Sequence, residues 1–98
     1  MLIHIVCWKY RPEVPAEARQ NHVDRLRGLK GLVAGMPFLE AGSDVLDLER
    51  SFDTGLVAHF DSRDVLEAYT VHPDHQDVVA IGREIAERVI SVDFLTGT

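Results

Sequence analysis

The sequence predicts an α+β fold: an antiparallel sheet of four strands with helices on one face. Two observations lead there. Four short runs rich in β-branched and aromatic residues alternate with segments of helical period. Their order along the chain is β-α-β-β-α-β, with two strands in succession at the middle. The 98 residues, 46% apolar and 27% charged, are ordinary globular composition, so one domain over 1–98 is expected.

The elements follow in order. Residues 2–10, Leu-Ile-His-Ile-Val-Cys-Trp-Lys-Tyr, read as the first strand, which Arg11 and Pro12 end. Pro15 suits the first turn of a helix. That helix is expected from 16 to about 29, with Ala18, His22 or Val23, Leu26 and Leu29 on one face. Gly28, Gly31 and Gly35 then break it by degrees. Residues 38–43 form a second strand, 44–53 a polar loop and 54–60 a third strand. Asp61 or Ser62 caps a second helix with Val65, Leu66 and Tyr69 as its apolar stripe. His72-Pro73 interrupts it, and a further helix is expected from 73 to about 87. Residues 88–95 complete the sheet. The whole is a ferredoxin-like order with its second helix broken in two.

Successive strand residues point to opposite faces. Ile3, Ile5 and Cys7 share one face of the first strand, and His4, Val6, Trp8 and Tyr10 the other. Both are largely apolar, although a sheet wetted on one side should alternate apolar with polar. The helices can cover one face only. A second copy of the chain, packing sheet on sheet, would cover the other, so a homodimer is expected.

Charge and cysteine content narrow the function. A formal charge of −6 argues against non-specific nucleic-acid binding, which needs a basic footprint. The one cysteine, Cys7, allows no intrachain disulfide and reads as a buried small hydrophobe. No apolar stretch is long enough to span a bilayer, and no secretory signal pattern opens the chain, so a cytoplasmic location without membrane contact is expected.

The most chemically dense segment is 69–75, Tyr-Thr-Val-His-Pro-Asp-His. His75 falls in the first turn of the helix begun by Pro73, where the helix dipole disfavours imidazolium. A neutral imidazole there is a candidate general base; the competing reading is a capping or packing histidine. Tyr69 is a hydrogen-bond donor to a developing oxyanion, or a core tyrosine. The two lie six residues apart, about 9 Å along an unbroken helix, which the break at His72-Pro73 could shorten. His72 reads first as a junction residue bonded to nearby backbone. His72 and His75 alone are too few for a metal site, so none is expected. His4 is either a satisfied core histidine or a pocket donor. His22 and His59 read as structural, and the Asp93 carboxylate is expected to accept hydrogen bonds or to pair with Lys9 or an arginine.

The residues His4-Ile5-Val6, Trp8-Lys9, Asp53 to Phe60, Asp64, Ala68-Tyr69, His72-Pro73-Asp74-His75 and Val92-Asp93-Phe94 resemble the stress-responsive α/β-barrel (Dabb) domain family. The resemblance covers the whole chain and is most specific over residues 68–75. It implies a ferredoxin-like domain that dimerises through its sheets into an α/β barrel, with a pocket between sheet and helices in each subunit. In a polyketide cyclase of that family, cofactor-independent, the pocket residues match His4, Tyr69, His72 and His75. The resemblance thus implies His75 as catalytic base, Tyr69 as its partner and Val6, Leu56 and Ala58 as apolar wall; Trp8 shares a strand face with His4. It also marks a departure: Val23 and Leu26 stand where the cyclase has bulky aromatics. Three functions follow as expectations. One is a cofactor-free cyclase or lyase acting on a small apolar carbonyl compound. Another is a non-catalytic ligand-binding or stress-associated dimer. The third is a cofactor-free monooxygenase, on analogy of fold alone.

Overall fold

The structure is a computed structural model that describes residues 1–97. Its elements are β1 (Leu2–Tyr10), α1 (Ala16–Arg27), β2 (Phe38–Ser43), β3 (Thr54–Phe60), α2 (Arg63–Val71), α3 (Pro73–Ile85) and β4 (Ala86–Leu95). The strands form one antiparallel sheet in the order β2-β3-β1-β4. β1 is central, and β4 is an edge strand paired with β1 alone.

The local signals act as expected. Ser62 caps α2 by accepting from the Val65 amide at 3.3 Å. His72 takes extended geometry before Pro73, closes α2 and caps α3. Gly35 turns the chain at φ +86°, where an added Cβ would stand 3.0 Å from the Val65 side chain. Two boundaries differ from the sequence reading. α1 ends at Arg27 because Gly28 caps it. α3 ends at Ile85, and β4 begins at Ala86 with no loop between them.

Register fixes the two faces. Pairings Leu2↔Phe60, His4↔Ala58 and Val6↔Leu56 place these residues under the helices, with Leu39 and Ala41 of β2 beside them. This is the core face: Leu39, Leu56, Ala58, Phe60, Tyr69 and Leu26 are all at most 3% exposed. Burying a leucine or phenylalanine side chain of this kind contributes about 1.5–3 kcal/mol. The opposite face carries Ile3, Ile5, Cys7, Ile90, Val92 and Phe94, by the same register. Ile90, Val92 and Phe94 are exposed there, and Cys7 is only half-buried rather than sealed in the core. An apolar, uncovered face of this kind is what sheet-on-sheet packing requires.

A second buried cluster lies under α1. Tyr10 donates its hydroxyl hydrogen to Thr54 Oγ1 at 2.8 Å, so its oxygen accepts from His22 Nδ1 at 2.7 Å. His22 is 1% exposed, and burial pushes its pKa down to about 4. Its other nitrogen faces the backbone of Gly82, where an added Cβ would lie 3.0 Å away. Neither His22 nor His59 lines the cavity described next, although His22 packs against Trp8, which does.

Candidate functional site

A central strand beneath two helices should be buried, yet His4, Val6 and Trp8 of β1 are each only partly so. The cause is a cavity of about 410 Å³ between the sheet and α3. Its size suits a small ligand. Its floor is His4, Val6 and Trp8 with Leu56. Tyr69 and Thr70 come from α2, and His75, Val78, Val79 and Arg83 from α3. Val89 and Ser91 of β4 close one side, and Leu26 of α1 contributes from above.

The break at His72-Pro73 does bring Tyr69 and His75 together: their ring centroids are 4.3 Å apart at 42°. The His75 Nδ1–H donates to the Thr70 carbonyl at 3.0 Å. That bond fixes the tautomer and leaves the Nε2 lone pair as the free position. The His75 pKa is lowered, chiefly by burial; the Thr70 bond opposes this, and the nearby His4 and His72 add to it. Burial therefore contributes more than the helix-dipole argument from sequence anticipated. The imidazole is neutral at pH 7, the form that can accept a proton.

Tyr69 is 1% exposed, and burial pushes its pKa up to about 12. Its hydroxyl has no hydrogen-bond partner among the described residues. Every sealed side-chain nitrogen or oxygen there has one, so the Tyr69 hydroxyl keeps access to the cavity. It is a neutral donor aimed at whatever fills that space.

His4 packs its ring edge against both Phe60 (6.1 Å) and Tyr69 (6.4 Å). Its Nδ1 bonds the Asp93 carboxylate at 2.5 Å. Of the two expectations for Asp93, the hydrogen-bond acceptor holds, and the pairing with Lys9 or an arginine does not. Register explains it: His4 and Asp93 are opposite one another on β1 and β4 and share a face. Lys9 points to the other side and reaches Asp53 at 3.9 Å and the Ser51 carbonyl at 3.4 Å. With Nδ1 occupied, His4 also has Nε2 as its free nitrogen, so two imidazoles are held in the same manner.

Six of the eight residues singled out from sequence line the cavity: His75, Tyr69, His4, Val6, Trp8 and Leu56. Two do not. Ala58 is 0% exposed in the core, its small side chain packed between its register partners His4 and Leu39. His72 turns away to accept the Asp74 amide hydrogen on Nδ1 at 3.1 Å, so it caps α3 instead of reaching a ligand. Sequence reasoning missed Thr70, Val78, Val79, Arg83, Val89 and Ser91. The 75-78-79-83 spacing on α3 and the alternation in β4 were the signals that could have found them. Among the described residues, no three His, Cys, Asp or Glu side chains cluster as a metal site would need. No helix is long and apolar enough to cross a membrane.

Comparison with known proteins agrees with this architecture. An uncharacterized protein of Streptomyces coelicolor is 30% identical over 93 residues, 93% of this chain and 96% of the relative. A dimeric ferredoxin-like protein of unknown function from Thermobifida fusca superposes with a TM-score of 0.88 at 24% identity, covering 95% of this chain and 88% of that one. A hydroxynitrile lyase from Passiflora edulis has the same fold, with a TM-score of 0.84 at 14% identity over 98% of this chain and 93% of its own. The model of the stress responsive A/B barrel domain matches residues 2–96, and the chain belongs to that family.

Proposed function

We propose that this protein is a homodimer, each 98-residue chain a single domain, that binds a small apolar carbonyl compound and catalyses cofactor-independent carbon-acid chemistry of the cyclase or lyase type. The carrying observation is the pairing at the inner end of the cavity. A neutral His75 with a free Nε2 is stacked on a tyrosine whose hydroxyl has no partner among the described residues. In the proposed step, His75 Nε2 takes the proton from carbon next to a carbonyl. The C–H electron pair moves into the new carbon–carbon double bond, and the carbonyl oxygen becomes the enolate. The Tyr69 hydroxyl, with a pKa near 12, stays protonated and donates to that oxygen. The His4 imidazole, oriented by Asp93, is the second polar group within reach of the bound molecule. That a protein of the same fold is a hydroxynitrile lyase is consistent with carbanion-type chemistry in this scaffold.

The test uses an uncharged probe, 2-decanone, in D₂O. NMR is expected to show protein-dependent exchange of its α-hydrogens. His75→Gln should slow the exchange by at least about 100-fold, the lower range for general-base catalysis, with an unchanged melting temperature. Undiminished exchange in that variant would remove His75 as the base. Saturable binding of the ketone without any exchange would instead make the protein a non-catalytic ligand-binding dimer.

The homodimer rests on the exposed Ile90, Val92 and Phe94 of the helix-free sheet face, and the T. fusca protein of like fold is dimeric. Sedimentation at micromolar concentration should give a dimer. Val92→Arg should give a folded monomer, because it places a charge in the middle of that face. A wild-type monomer at that concentration would refute the proposal.

A further inference from the structure

The cavity has two polar ends, and only one carries the proposed proton chemistry. The second is Arg83. Its guanidinium lies at the exposed rim and makes no ion pair among the described residues. Beside it is Trp8, whose indole nitrogen lies against Gly82, 3.2 Å from where a Cβ would stand. That indole N–H has no hydrogen-bond acceptor among the described residues.

Two independent rulers give the distance between the ends. His75 and Arg83 are eight residues apart on α3, which is about 12 Å of helix rise. His4 and Trp8 are four residues apart on β1, which is about 13 Å of strand. The wall between is apolar: Val6, Val78, Val79 and Val89.

We infer that the natural ligand is an elongated monoanion. Its carboxylate sits on Arg83, and an apolar body carries the reactive carbonyl about 12 Å away to Tyr69 and His75. A planar guanidinium matches a carboxylate by donating two parallel hydrogen bonds to its oxygens. One arginine lining the cavity, in a chain of formal charge −6, favours one negative charge over a polyphosphate. The inference rests on the cavity being a ligand site and specifies what kind of molecule it selects.

Trp8 is the only tryptophan in the chain and lines the cavity, so its fluorescence reports binding directly. The experiment titrates the intact protein with decanoate and with 1-decanol, chains of equal length and unequal charge. Decanoate should bind about two- to fivefold more tightly, the scale of an exposed ion pair. Arg83→Gln should abolish that preference while leaving decanol affinity unchanged. His75→Gln should leave the preference intact. Equal binding of acid and alcohol to the wild type, or a preference that survives Arg83→Gln, would overturn the carboxylate assignment and leave the apolar cavity reading standing. Binding of neither probe would overturn both.

Discussion

Phe60→Ala is expected to cost about 3–5 kcal/mol of folding stability, the usual range for emptying a buried aromatic site. Phe60 is 0% exposed at the end of β3, and its ring meets Tyr69 at 5.1 Å and His4 at 6.1 Å. Nothing nearby can collapse into the space, because Tyr69 is held by α2 and His4 by Asp93. A loss of that size is a large share of the roughly 5–15 kcal/mol that holds a domain together. Phe60→Leu keeps most of the volume and should cost less than half as much. Urea unfolding of the two variants measures both numbers. If Phe60→Ala unfolds within about 1 kcal/mol of the wild type, Phe60 is not the packing centre beneath the site.

Acid should destabilise the protein through His22. Its folded pKa, about 4, lies below the ordinary value of 6.5. Between those two values the unfolded chain binds the extra proton and the folded chain does not, so stability falls as pH drops through this window. The full difference is about 3 kcal/mol, reached near pH 4. The structural reason is visible in the ring's two nitrogens. Nδ1–H already donates to the Tyr10 oxygen, and a proton added at Nε2 would face Gly82 with no acceptor among the described residues. His75, whose pKa is also lowered, acts in the same direction. His22→Gln, which keeps a donor toward Tyr10, should be markedly less sensitive to pH. Urea midpoints at pH 7 and pH 4.5 decide the matter, and an unchanged pH slope in His22→Gln would assign the acid sensitivity elsewhere.

Much of the fold was legible because its signals are local. The first three strands begin and end where the apolar runs do, and Ser62 and His72-Pro73 mark helix ends by chemistry that involves only their neighbours. The joint between α3 and β4 was misplaced by two residues. Ala86 and Glu87 are good helix formers, and no glycine or proline announces the change. The site was legible where it follows a motif, as with Tyr69 and His75. It was illegible where it depends on register. Asp93 meets His4 across 89 residues of sequence, and only strand pairing decides that the two are opposite. Arg83 went unnoticed because a surface arginine late in a helix ordinarily means only a solvated face.

The direct passage from Ile85 to Ala86 has a consequence for how such a site can diversify. One uninterrupted segment, from Pro73 through β4, supplies His75, Val78, Val79, Arg83, Val89 and Ser91, six of the thirteen residues that line the cavity. The connections at residues 28–37 and 44–53 contribute nothing to it. Insertions there leave the binding space untouched, whereas a single residue inserted after Ile85 would shift β4 by one position and exchange its two faces. Selectivity in this architecture therefore changes by substitution along a fixed helix and strand, while chain length at that joint stays frozen.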